Sequence, residues 1–206
     1  MELWEKEAMS SWVKARVRRH REELQQVRRE MSVSWTSNEL PEIDVVVPIL
    51  TETPNEKVAR LQSGFPMLDP GYLEFVAQCA RCPMFGFTSD DSFGIVEVDR
   101  VDHLSNADPG VIARWNSGPT TPCKTPRLVP LADQNPHDFD SRELSRALVL
   151  ARGERGCDPA LLWIPAPRRE YWLVASWEGC LRFSNIEEAF DYMLSQSVES
   201  LRAALE

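Results

Sequence analysis

Residues 147–151, 160–164 and 171–177 form three short, nearly uninterrupted apolar runs, parted by Gly156-Cys157-Asp158-Pro159 and by Pro167-Arg168-Arg169. Each run is too short for a buried helix and is bounded by chain breakers, so the three read as strands of an antiparallel meander. Directly afterwards Ser184 and Glu187 have the spacing of a capping box. Ile186, Phe190, Met193, Leu194, Val198, Leu201 and Leu205 then recur on one helical face. A sheet and an amphipathic helix that follow each other must bury their apolar faces together. The predicted class is therefore α+β, a mostly antiparallel sheet flanked by helices.

A second informative stretch lies upstream. Thr53, Pro54 and Glu56 form another capping box with proline at the first helical position, Val58 and Leu61 give the helix an apolar edge, and Gly64 ends it. Asp69-Pro70 restarts a helix in which Tyr72, Phe75, Val76 and Cys79 recur at helical spacing. Two short helices joined by a tight break are expected here. Beyond them, residues 84–87 and 93–98 read as the strands of a hairpin with 88–92 as its turn. Asp108-Pro109 opens a short helix running to Trp115, and the proline-rich stretch 116–136 reads as a long surface loop.

The order helix, Gly64, Phe65-Pro66, then a helix bearing Tyr72 and Phe75 resembles the opening of the SUKH superfamily of bacterial toxin-immunity proteins and their relatives. The strands and closing helix after Phe183 agree with it. The segment after the second helix, Cys79-Ala80-Arg81-Cys82-Pro83, departs from the Asn-Gly-Gly usual there. The resemblance spans roughly residues 54–205. It implies a non-catalytic cytoplasmic protein that binds and neutralises a cognate secreted toxin, with Gly64, Phe65, Pro66, Tyr72 and Phe75 as the motif positions.

At the other end, Trp4, Ala8, Trp12, Val17, Leu24, Val27 and Met31 fall near helical spacing among charged neighbours. The organisation expected is an amphipathic helix over 1–31, a linker with one strand (43–49) over 32–53, and the α+β domain over 54–206. The helix packs on its own domain or on a second copy, or serves as an arm to a partner. Its basic segment 14–21 is tempered by Glu22, Glu23 and Glu30.

Charge is distributed unevenly. Residues 1–30 hold eight basic and six acidic side chains, a net of +2, which leaves −11 for the rest of a chain whose total is −9. Such a body repels phosphate backbones and favours a basic protein partner. Neither nucleic acid nor membrane is expected: no apolar run approaches the roughly 18 residues that span a bilayer, and no signal-peptide core follows the charged start. Hydrophobic residues at 43% exclude disorder across the whole chain.

Phosphate-loop, dinucleotide, nucleophile-elbow and zinc-protease motifs are lacking, so no catalytic residue, cofactor or metal is assigned. Cys79 and Cys82 have the spacing of half a zinc site. The remaining ligands would have to come from the scattered Cys123, Cys157, Cys180, His103 or His137, and two small buried thiols at a helix end is the plainer reading. His20, His103 and His137 are isolated and read as surface residues. The partner-binding candidates are Asp90, Asp91, Glu97, Asp99 and Asp102 on and around the hairpin, with Trp115 as an anchor. Carboxylates there would mimic phosphates in a basic cleft, and an aromatic would supply buried contact area. An adaptor that recruits a partner or dimerises through the N-terminal helix is the alternative.

Overall fold

A computed structural model describes residues 11–34, 49–50, 55–83, 92–95, 101–107, 109–110, 141–153, 160–175 and 179–205. In chain order the elements are α1 (Ser11–Ser34), β1 (Ile49–Leu50), α2 (Asn55–Gly64), α3 (Pro70–Gln78), β2 (Cys79–Pro83), β3 (Ser92–Ile95), β4 (Asp102–His103), α4 (Leu104–Ala107), α5 (Ser141–Arg146), β5 (Leu148–Gly153), β6 (Ala160–Ile164), β7 (Glu170–Ala175), β8 (Gly179–Phe183) and α6 (Ile186–Leu205). Among the described residues every strand pairing is antiparallel, in the order β1-β2-β3-β5-β6-β7-β8, with β4 also on β5. The fold is α+β, as the sequence predicts.

The meander owes its place to the unbroken apolar character of its strands. All five residues of β6 are buried, Leu161 and Trp163 toward one face and Ala160, Leu162 and Ile164 toward the other. A run without polar alternation is stable only in a sheet covered on both sides. Trp163, Tyr171 and Phe183 stand in register across β6, β7 and β8. This aromatic row meets the helices: Tyr171 reaches Asp69 just before α3, and Phe183 packs on Tyr192 of α6 with ring centroids 5.6 Å apart.

On the other side of β5 the neighbouring position is shared. Ile95 of β3 pairs with Ala151 and Asp102 of β4 pairs with Val149, so residues 96–101 intervene where β5 has Leu150 alone. Toward β6 the register also shifts between Val149 and Ala151. Among the described residues Leu150 thus has no register partner on β3, β4 or β6, and toward β6 it is the extra residue of a bulge.

Three rings join the helices. Phe75 of α3 and Phe190 of α6 lie 5.0 Å apart, and Trp12 of α1 lies 6.1 Å from each. Val13 and Val17 of α1 belong to the same core as the meander. Arg16 lies 5.0 Å from the centre of the Trp12 ring, donating Nε–H to Asp191 at 2.7 Å and Nη2–H to Glu187 at 2.8 Å. The long N-terminal helix therefore docks on α6 of its own domain.

The cap of α6 differs from expectation by one residue. The helix starts at Ile186, so Asn185 is the cap: its Oδ1 accepts from the Glu188 amide at 2.9 Å, and Glu188 reaches back to the Ser184 amide and hydroxyl at 2.9 and 2.8 Å. Glu187 is thereby left to hold Arg16. The first hairpin includes a strand the sequence does not suggest: Cys79–Pro83 pairs with both β1 and β3, and Cys79 starts that strand instead of extending α3. The expected strand 84–87, the strand 43–48, the helix from Asp108-Pro109 to Trp115 and the loop 116–136 fall outside the described residues, apart from positions 109–110. His20 is 2% exposed, a core residue and not the surface histidine expected from its isolation in the sequence. Among the described residues no helix is long and apolar enough to cross a membrane.

The ring triangle supplies a test. Phe75→Ala should destabilise the protein by about 3–5 kcal/mol in urea denaturation, the range for losing a fully buried aromatic. A loss below about 1 kcal/mol would show that α1, α3 and α6 do not share this contact.

Candidate functional site

The motif positions come together around the break between α2 and α3. Phe65 N–H donates to the Leu61 carbonyl at 2.9 Å, an i to i−4 bond that completes the last turn of α2, and Leu68 N–H donates to Phe65 O at 3.0 Å in the turn that follows. Gly64, the last residue of α2, stands exposed with open space where a Cβ would be. The break is then held at three points. Phe65 meets the His103 ring edge-on at 6.1 Å, Trp163 Nε1–H donates to the Met67 carbonyl at 2.8 Å, and Tyr171 O–H donates to Asp69 Oδ2 at 2.6 Å.

Tyr72 and Phe75, one turn apart on α3, are both buried and serve different ends. Phe75 belongs to the helix triangle. Tyr72 O–H donates to the carbonyl of Leu150 at 3.1 Å, the residue that the bulge leaves without a ladder partner. At this irregular point of the sheet the Tyr72 hydroxyl gives the buried carbonyl a donor from the helix layer. Burial raises the Tyr72 and Tyr171 hydroxyls well above the ordinary tyrosine range, with the Asp69 carboxylate adding to the effect at Tyr171. Both stay protonated and act as donors. Gly71 lets this corner close, since a Cβ there would come within 2.9 Å of Asp69 Oδ2 and 3.5 Å of Ile186 Cγ2.

What the anchored break shows to solvent is a short apolar ledge. Pro66 and Met67 are exposed, Met67 to 43%, beside half-buried Phe65 and His103. The turn between β6 and β7 lies at the same end of the sheet. There Arg146 of α5 donates to the Ala166 carbonyl at 2.9 Å, and Arg169 takes the left-handed conformation with φ 56°. The ledge is thus bordered by a turn whose Ala166, Pro167 and Arg169 are exposed.

Of the acidic candidates, Asp102 is described and is engaged locally. Its Oδ1 accepts from the His103 amide at 2.7 Å and from Asn106 Nδ2 at 3.1 Å, bracing the start of α4. Asp90, Asp91, Glu97, Asp99 and Trp115 lie outside the described residues. The Cys79/Cys82 pair sits on β2, and among the described residues no group of three or more metal-ligating side chains is assembled. Sequence reasoning misses the cross-strand cluster of Glu170, Trp172 and Arg182. Arg182 Nε and Nη2 donate to the two oxygens of Glu170 at 2.8 and 2.7 Å, and Trp172 Nε1–H also donates to Glu170 at 3.0 Å. The i, i+2 spacing of Glu170 and Trp172 on one strand is the legible signal; the partner strand's register is not. Neither family models, nor curated proteins, nor solved structures give a match to this chain.

Tyr72→Phe should cost about 1–3 kcal/mol of stability, because it removes the hydrogen bond that the buried Leu150 carbonyl accepts from α3. Tyr171→Phe should cost less, since half-buried Asp69 regains water. Chemical denaturation of the two variants side by side checks the order; equal losses would contradict the bulge argument.

Proposed function

We propose that this chain is a non-catalytic binding protein of the immunity type, which acts in the cytoplasm by docking on a cognate toxin and blocking it. The observation that carries the reading is the anchored ledge. The Phe65–Met67 backbone is fixed by an aromatic contact and an indole donor, with Tyr171 on Asp69 just beyond, while Pro66 and Met67 face solvent. A surface ordered before binding loses little entropy on association, which favours tight docking. The net charge of −9 supports a basic partner, with Asp90, Asp91, Glu97, Asp99 and Asp102 steering the encounter and Trp115 as an anchor. The adaptor alternative rests on α1, whose apolar stripe of Val13, Val17, Leu24 and Val27 is covered within the chain, which leaves its charged outer face for recruitment.

A pull-down of the tagged chain from lysate of the organism that encodes it, at ~0.15 M salt, tests the proposal. One stoichiometric basic partner with a toxin domain, together with protection of cells that co-express both, is the expected result. Capture that disappears on deleting residues 1–31, with the domain still folded, would favour the adaptor. The triple change Asp90→Lys, Asp91→Lys, Asp99→Lys should weaken binding by ~10-fold or more at low salt and by less at ~0.5 M. Unchanged affinity would remove these residues from the interface.

A further inference from the structure

His20 stands where α1 meets α6, between the main core reached by Val13 and Val17 and a further set of buried apolar residues, Leu24 and Val27 of α1 and Val198 and Leu201 of α6. Its Nε2 lies 3.1 Å from the Ser197 hydroxyl, and that hydroxyl also lies 2.9 Å from the Leu194 carbonyl. A hydroxyl has one hydrogen. The Leu194 carbonyl can only accept, so Ser197 donates to it and accepts from His20, which places the imidazole proton on Nε2. Nδ1 is then a bare acceptor, buried without a partner.

Among the described residues, the surroundings of His20 offer nothing to a second proton. From its own helix Arg21 adds repulsion and Arg16 is a second cation one turn away; from α6 come the Ser197 hydroxyl and, nearer the start of that helix, Glu187 and Asp191, both held by Arg16. From α3 the contact to α1 is the Phe75 ring against Trp12. Among the described residues no carboxylate pairs with His20. Protonation would create a buried cation whose new Nδ1–H has no acceptor, a state relieved only by parting the helices.

We propose that α1 is an acid-released strap: protonation of His20 frees the helix from α6 and uncovers the apolar face of α6 beneath it. Burial, reinforced by Arg21, pulls the His20 imidazole down from 6.5 to about 4. A histidine depressed in the docked state stabilises docking fully above its free value, and the stabilisation is lost as pH falls through that window. The open-to-closed ratio of the strap should therefore rise on the order of 100-fold between pH 7 and pH 4.

Hydrogen–deuterium exchange of the whole chain across this range, corrected for the pH dependence of chemical exchange, tests the proposal. Amides of 11–34 should lose protection in acid while those of 160–164 and 171–175 keep it. His20→Gln retains an N–H donor for Ser197 but takes no charge, and should blunt the acid response of α1. Loss of protection in α1 and the sheet together, or an unchanged response in His20→Gln, would overturn the strap. Should that variant fail to fold, the wild-type His20 Cε1 proton followed by NMR decides. A depressed midpoint that coincides with release of α1 supports the proposal, and a midpoint near the ordinary value with α1 still protected refutes it.

Discussion

The bulge at Leu150 is the constraint around which the rest is arranged. The position beside β5 is split between β3 and β4, and toward β6 the register shifts at the same place. At such an irregularity every buried carbonyl still needs a donor, since one left unpaired costs about as much as a lost hydrogen bond. Tyr72 supplies that donor to Leu150. Once Tyr72 is fixed, α3 lies over the meander in one orientation, Phe75 is presented to Phe190 and Trp12, and the loop before α3 falls within reach of Trp163 and Tyr171. One phenol thus links the irregular point of the sheet to the placement of three helices.

The same logic explains why the N-terminal helix is not an appendage. Its first half contributes Val13 and Val17 to the main core, and Arg16 occupies the carboxylate that the shifted α6 cap leaves unused. The cap and the clasp are therefore one arrangement. With Asn185 and Glu188 satisfying the amide donors at the helix start, Glu187 points to α1. Were Glu187 drawn into the cap, Arg16 would keep Asp191 alone.

Much of this is legible in the chain. The run 160–164 is β6 residue for residue, since five consecutive buried positions admit little else in a sheet covered on both faces. Helical spacing alone puts Tyr72 and Phe75 on the inner side of α3, where they lie. The strand 79–83 is not legible, because Cys-Ala-Arg-Cys-Pro has no β-branched or large aromatic residue; its pairing with β1 and β3 overrides local preference. His20 is misjudged by residue type, although its position three after Val17 and four before Leu24 puts it on the buried stripe. At the candidate site the acidic cluster rests on sequence proximity alone, which cannot reveal that Asp102 is engaged by the His103 amide and Asn106. The ledge at Pro66 and Met67 is half visible: the break is evident, but its three anchors come from residues 38 or more positions away.

The shared position beside β5 has a consequence for how this fold can vary. Residues 96–101 join β3 to β4 across a gap that Leu150 alone fills on the partner strand, and the pairings on either side, Ile95 with Ala151 and Asp102 with Val149, are set independently of that connection. Lengthening or shortening the connection need not shift the register of either segment, and loop closure grows only slowly in cost with length. A change of length between Ile95 and buried Val101 can therefore leave both described pairings of β5 in place.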